Sequence, residues 1–361
     1  MLSLIAYNFI LIFSVFFAWL ATLKQRKATR VIFVSFSFLC IFIPTFIRFD
    51  VGPDYYGYVN IFNDLRFREA APKYVEYSFF ILSRLFEDFE YGYVFILGFY
   101  SFFSLLIVYL YSGVNRLPYV LFVFLTASVG YFTFDDQVRQ FLAIAIWLFG
   151  VRFIVEKRLF FYISVCLFAS VFHFSAILMI PFYYLARITL PIKVMLFIFF
   201  IMVCFFYFDL SSFIFKSIFE IIPYYSKYAH QEDYIISGTA TATGLGVLLN
   251  TAIFMYAVCY RRNAGHLYLT NLLFFGIVIM LLSSGNLVIT RFSKFFLVLG
   301  IFLVSQVLYV QKNIIHKFLI MVLLLIFFER AIINRDNRDL SYQTVFSDNF
   351  KSEILRRDLQ K

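Results

Sequence analysis

The feature that most limits what this chain can fold into is a succession of apolar runs close to twenty residues long, each bounded by charged or polar residues. They cover 2–23, 31–47, 91–112, 118–134, 138–155, 159–172, 174–186, 193–208, 244–260, 267–283, 292–310 and 316–329. A bilayer's hydrocarbon core is about 30 Å thick and is crossed by roughly 20 helical residues, whose backbone groups must all be satisfied within the segment. The runs therefore predict an all-α polytopic integral membrane protein with about twelve transmembrane helices, between roughly ten and thirteen. Composition closes the soluble alternative. Apolar residues make up 63% of the chain, aromatic ones 23% and charged ones 14%, too few polar groups to cover a water-facing surface. The same numbers exclude a disordered chain and a nucleic-acid binder. A net charge of +10 reads instead as basic loops facing anionic lipid. Cys40, Cys166, Cys204 and Cys259 show no CxxC spacing and read as apolar thiols.

Met1–Leu23 lacks a basic lead-in and an A-x-A site, so it reads as a retained spanning helix. The stretch 159–186 is slightly long for one helix and is interrupted by His173 and Pro181, which predicts two short helices meeting near His173. With the N-terminus outside, the inward segments are 24–30, 113–117, 152–158, 187–193, 261–266 and 311–317. Their charges are lysine and arginine, with Glu156 the single acid. Such a bias is the positive-inside pattern, and merging 159–186 into one helix destroys it. Both termini are thus expected outside. Residues 1–330 form one transmembrane domain with outer loops 48–90 and 209–243, followed by a polar tail, 331–361. In the first loop, Phe79, Leu82, Phe86 and Phe89 recur at helical spacing, with Glu76, Arg84, Glu87 and Asp88 elsewhere around the turn. That pattern suits an amphipathic helix lying in the interface. The string SGTATATG closing the second loop reads as a connector. No internal repeat is visible, which disfavours a secondary transporter.

No nucleotide loop, HExxH or GxSxG motif is present, so ATP hydrolysis, zinc and serine-hydrolase chemistry have no support. What remains is a set of ionisable residues at the outer ends of spans: Arg48, Arg139, His173 and Arg291. Charges at membrane depth are costly and default to functional candidates. Each also has a plainer role. An arginine at a helix end can snorkel to headgroups, and a histidine can sit satisfied against a carbonyl. Asp135 and Asp136 can serve a helix start, Tyr55, Tyr56 and Tyr58 an aromatic belt, and Asp54 a turn after Gly52-Pro53. Together, three arginines, a histidine and a carboxylate on one membrane face describe a site for a phosphorylated lipid with a proton acceptor.

The segment Arg48–Tyr58, RFDVGPDYYGY, resembles the R-x-x-x-G-x-D-Y-x-x-Y signature of the EpsG family, membrane proteins of bacterial polysaccharide assembly related to Wzy-type O-antigen polymerases. Arg139-Gln140, then Phe172-His173-Phe174-Ser175-Ala176, is similar to that family's RQ and FHxSA stretch, and Arg291-Phe292 to a third arginine before a late aromatic helix. Pro53 stands where the family usually has Thr, so no hydroxyl acts there. The resemblance implies glycosyl transfer on the outer face of a bacterial cytoplasmic (inner) membrane, from one undecaprenyl pyrophosphate carrier to the terminal sugar of another lipid-linked repeat. It implies a chain-length regulator and a flippase as partners, and no metal or other cofactor. A pyrophosphate leaving group calls for fixed guanidinium groups, and attack by a sugar hydroxyl calls for a base. Arg139 and Arg291 are expected on the donor pyrophosphate, with Arg48 bracing it or orienting Asp54. Asp54 is the first candidate base and His173 the second. Tyr55, Tyr58 and Gln140 are expected to contact substrate.

The rival classes are a polyprenyl-phosphate glycosyltransferase of another type, for which Asp50 and Asp54 would mimic an acidic pair, a lipid-linked oligosaccharide flippase, and a membrane O-acetyltransferase.

Overall fold

The computed structural model describes residues 2–24, 26–72, 75–208, 244–261, 266–283, 286–336 and 341–347. The second expected outer loop, 209–243, and most of the polar tail lie outside them. Among the described residues the chain is helical, and its only bridge pairs Arg48 with Thr344 in antiparallel sense. Five helices among the described residues are long and apolar enough to cross a membrane: Ser3–Thr22, Lys27–Phe46, Gly92–Ser112, Val138–Val155 and Val288–Val310. Several shorter apolar helices accompany them. The protein is therefore an all-helical, membrane-embedded chain.

The described chain divides into two compact units. The first comprises 1–150, 163–178 and 312–361. Its helices are α1 (Leu2–Thr22), α2 (Lys27–Phe46), α3 (Tyr55–Leu65), α4 (Tyr77–Leu85), α5 (Gly92–Ser112), α6 (Leu117–Thr126), α7 (Tyr131–Asp136), most of α8 (Val138–Val155), part of α9 (Leu159–Ser170), and, after the second unit, the last helix (Ile314–Asp336). Helices α1, α2 and α5 pack in sequence, and α6 and the last helix close on α1. Lipid supplies no hydrophobic drive between helices, so packing and interhelical hydrogen bonds must hold them. Ser37 provides such bonds: its buried hydroxyl reaches the Ser14 carbonyl (2.7 Å) and the Tyr109 hydroxyl (2.8 Å), joining α2 to α1 and α5. Bonds of this kind are worth roughly 0.6 kcal/mol each in membranes.

Two expectations change here. The predicted run 118–134 is not one helix: α6 stops at Thr126, and the chain turns before α7. Gly130 marks the bend, because a Cβ there would drive into the Phe124 carbonyl, a close approach that only glycine permits. The run 174–186 is a 3₁₀ turn (Phe174–Met179) followed by α10 (Phe182–Leu185). The break falls near His173 as expected, but six 3₁₀ residues rise only ~12 Å, and Pro181 stops regular helix from continuing through the segment.

Within the segment 48–90 the chain folds into two short helices. Tyr55, Tyr58, Val59, Phe62 and Leu65 form the buried stripe of α3, and Ser78, Phe79, Phe80 and Leu82 that of α4. Both pack on α5 around Tyr93 and Tyr100. The segment 341–347 returns to the end of α2. Phe49 N–H donates to the Gln343 carbonyl and Val345 N–H to the Ile47 carbonyl, each at 2.9 Å. Tyr342 donates its hydroxyl to the Pro44 carbonyl (2.9 Å).

The second unit comprises 151–162 and 179–311. It holds α10, α11 (Ile192–Tyr207), α12 (Leu245–Arg261), α13 (Leu267–Leu282) and α14 (Leu287–Val310); the last helix, Ile314–Asp336, is numbered α15. Helices α12, α13 and α14 pack on one another, and α11 on α13. Asn271 of α13 donates to the Ala186 and Ile188 carbonyls (2.7 and 2.8 Å), capturing the chain as it leaves α10. Asn286 caps α14 by accepting from the Val288 and Ile289 N–H groups.

Candidate active site

The site of the first unit begins at the turn after α2. Asp50 and Gly52 both have positive φ (50° and 94°), the left-handed region that glycine adopts freely and aspartate tolerates. A Cβ on Gly52 would also collide with the Asp136 carboxylate. Arg48 sits before this turn, and each of its three guanidinium nitrogens faces an oxygen. Nε faces the Asp135 carboxylate at 3.2 Å, Nη1 donates to the Thr45 carbonyl and Nη2 to the Asp135 carbonyl. Both side chains of this pair are about as buried as a side chain can be, at 2% and 1% exposure. Burial pushes the Asp135 carboxyl up to about 6, against the pull of Arg48. The neighbouring Asp136 is held by Arg335 of α15 through two hydrogen bonds, 2.6 and 3.3 Å.

At the start of α8 lies a second cluster, and its centre is a residue the sequence reading placed on a polar flank. Glu76 precedes α4 in the cap position, yet its side chain caps nothing. Instead Oε2 accepts from Arg139 Nη1 at 2.5 Å, and Oε1 meets His173 Nδ1 at 2.7 Å. Glu76 is 4% exposed, Arg139 17% and His173 28%, so the carboxylate is enclosed while its two partners reach solvent. Burial alone would raise the Glu76 carboxyl. The His173 hydrogen bond and the Arg139 charge together outweigh it and hold the group below its ordinary range. Glu76 is thus anionic and acceptor-only, so the His173 Nδ1 that faces it carries a proton and donates to it.

The rings beneath fix the arginine. The Arg139 guanidinium lies 5.2 Å from the ring centroids of both Tyr58 and Phe79, and these two rings stack at 6.1 Å. Phe79 stacks in turn on Tyr100 (6.2 Å), whose hydroxyl is paired with the Ser78 hydroxyl (2.8 Å). The His173 segment is tied to α4 by the Ser78 N–H, which donates to the Val171 carbonyl. Carboxylate, guanidinium and imidazole therefore come from a loop, a span and a helix break that packing locks together.

Of the residues singled out by sequence, Arg139 and His173 meet at Glu76, with Tyr58 beneath. Arg48 lies in the adjoining cluster through Asp135, four residues before Arg139. Tyr55 is buried in ring contacts with Phe49 and Tyr93. Gln140 is buried beside Arg139 in α8. Asp54 begins α3 and is half-buried; its carbonyl accepts from the Tyr58 N–H (3.1 Å). Arg291 belongs to the second unit, half-buried in the first turns of α14. Glu76, Asp135, Asp136 and Arg335 complete the arrangement and were not picked from sequence. Among the described residues no three His, Cys, Asp or Glu side chains gather as a metal would require.

A membrane-embedded helical protein with an arginine–carboxylate–histidine centre at the end of a span is, as a class, equipped to hold an anionic headgroup and move a proton beside it. The sequence matches the EpsG family over residues 30–344, from α2 through the returning tail segment, and the chain belongs to that family. Family membership suggests a polysaccharide polymerase of glycosyltransferase type. No curated protein and no solved structure matches it.

Proposed function

We propose that this protein polymerises lipid-linked repeat units, moving a growing glycan from undecaprenyl pyrophosphate to the terminal sugar of a second lipid-linked unit at the outer face of the cytoplasmic membrane. The acceptor hydroxyl attacks the donor's anomeric carbon, the bond from that carbon to the pyrophosphate oxygen breaks, and undecaprenyl pyrophosphate leaves with the electron pair. The observation that carries this reading is the convergence of Arg139 and His173 on the enclosed Glu76 carboxylate. His173 Nε2 takes the hydroxyl proton while Glu76 holds the ring and stabilises the imidazolium. Arg139, fixed by Glu76 and its two rings, presents its remaining N–H edge to the pyrophosphate. Arg48 holds the turn that leads into α3. Arg291 is a separate phosphate-binding candidate of the second unit. His173 is preferred to Asp54 as the base because it has the orienting carboxylate that such a base needs.

The test is replacement followed by surface-polysaccharide ladders on a gel, at matched protein level. His173→Ala and Arg139→Ala are expected to leave single repeats in place of long chains, and Asp54→Asn to retain polymer. Polymer lost in Asp54→Asn but kept in His173→Ala would reverse the choice of base. Full-length chains lacking one sugar would instead indicate a side-branch transferase, and absence of all surface sugar a flippase.

A further inference from the structure

We infer that the carboxyl-terminal segment is part of the site's machinery: Arg335 and the 341–347 strand clamp the Arg48–Asp54 turn, making Arg335 and the Val345 backbone positioning elements for the proposed reaction. The inference rests on the polymerase reading only for its activity readout.

Three independent contacts converge on this turn. The Phe49 and Val345 N–H groups pair across the Arg48–Thr344 bridge on both sides of Arg48. In that geometry the bridge residues form a non-hydrogen-bonded antiparallel pair, the type with the closest side chains. Second, Arg335 grips Asp136 with two nitrogens, and the Asp136 carboxylate occupies the space beside Gly52 that a side chain there would need. Third, Tyr342 binds the Pro44 carbonyl in the last turn of α2 through its hydroxyl and the Ser3 hydroxyl through its N–H (2.8 Å). The turn itself has two residues at positive φ and no regular structure of its own, so contacts from outside must fix it. The family match runs to residue 344, reaching the strand that makes the bridge. A tail that merely trailed on the membrane surface would make none of these bonds.

The backbone contact can be broken without touching the site. Val345→Pro removes the N–H that reaches Ile47, and Val345→Ala keeps it. Arg335→Gln removes the charge from the Asp136 pair, and Arg335→Lys keeps it. Each is combined with Val51→Cys, a position 1% exposed in the turn, and labelled with a membrane-impermeant maleimide over the background of the four native cysteines. Val345→Pro and Arg335→Gln are expected to raise labelling of residue 51 at least tenfold, and to raise the apparent KM for the lipid-linked donor more than they lower kcat. Val345→Ala should stay within about twofold of the parent in both, and Arg335→Lys, which keeps the charge but not the two-pronged grip, should fall between the parent and Arg335→Gln. Unchanged labelling in Val345→Pro and Arg335→Gln overturns the clamp whatever polymerisation does. Raised labelling with wild-type kinetics overturns its role in the site. Loss of both proteins from the membrane also overturns it, since the segment would then serve the whole fold and not the turn. If the protein makes no polymer in any form, the polymerase reading fails while the labelling still decides the clamp.

Discussion

Replacing Glu76 by Gln isolates one carboxylate with two jobs. The substitution keeps the shape but removes the charge, and an amide can accept from only one of the two donors while turning its own NH₂ towards the other. Hydrogen bonds to charged groups contribute about 1.5–3 kcal/mol each. Breaking a buried pair costs about 3–5 kcal/mol, but Arg139 and His173 are 17% and 28% exposed, so water recovers part of their loss. A stability loss of about 2–3 kcal/mol follows. Losing the carboxylate that orients a general-base histidine costs up to about 10⁴-fold in kcat, a barrier increase of up to roughly 5.4 kcal/mol. The pH dependence supplies an independent reading. Glu76 is held below its ordinary value of 4.5 in the folded protein. Its contribution to stability is therefore fully present above about 4.5 and is lost as pH falls through the lower, folded-state value. Wild-type protein should lose stability along that acid limb, and Glu76→Gln should start lower and show a shallower limb. Thermal unfolding in detergent and polymerisation from purified lipid-linked repeats measure the two effects. A variant that polymerises at the wild-type rate and keeps the wild-type acid limb would refute the orienting role.

Other perturbations test the remaining parts. Arg139→Lys keeps a charge but loses the planar group lying over Tyr58 and Phe79; polymerisation is expected to fall at least tenfold with little change in membrane abundance, because lysine does not reproduce a stacked, forked donor. Arg48→Met strands the buried Asp135 carboxylate and should destabilise by about 3–5 kcal/mol, while adding Asp135→Leu should recover much of that; a double variant no better than the single refutes the pairing. Activity is expected to survive EDTA, and loss that Mg²⁺ or Mn²⁺ restores would point to a metal-dependent transferase.

Much of the scaffold was legible because lipid imposes one rule on length and polarity, and α1, α2, α5 and α8 sit where their apolar runs lie. Arg48, Arg139 and His173 were visible for the same reason: each is an ionisable group at the end of such a run. Glu76 was not, since beside Arg84, Glu87 and Asp88 it reads as part of the polar flank of an amphipathic helix, and only the chain's path brings residue 173 to it. Helix α3 hid behind Asn60, Asn63 and Asp64 on its outer face, although Tyr55, Tyr58, Val59, Phe62 and Leu65 carried the helical period. The break at Gly130 depends on a close backbone approach, which apolar content does not report; the break near His173 was legible from His173 and Pro181, but not the 3₁₀ geometry that follows it. Arg335 is 199 residues from Asp136, and nothing in a single sequence links them.

A carboxylate at the heart of a proposed diphosphate site works against it in the resting state, because Glu76 offsets the Arg139 charge. The timing of the proton resolves this. Before reaction, the carboxylate and the two rings hold the guanidinium in one plane, sparing the reaction the entropy of ordering a long side chain. In the proposed mechanism, once His173 accepts the acceptor's proton the imidazolium becomes the stronger claimant on Glu76, and Arg139 is released to the pyrophosphate as its negative charge grows. Attraction is thus greatest in the transition state, the only place where it accelerates the step. Such coupling has a measurable consequence. If Arg139 and His173 act through one shared carboxylate, their effects cannot be independent. In a cycle of His173→Gln, Arg139→Gln and the double variant, each single change should cost nearly as much polymerisation rate as both together. Removing Glu76 should abolish that coupling. Rate losses that multiply would show two separate sites of action and would overturn the shared-carboxylate mechanism.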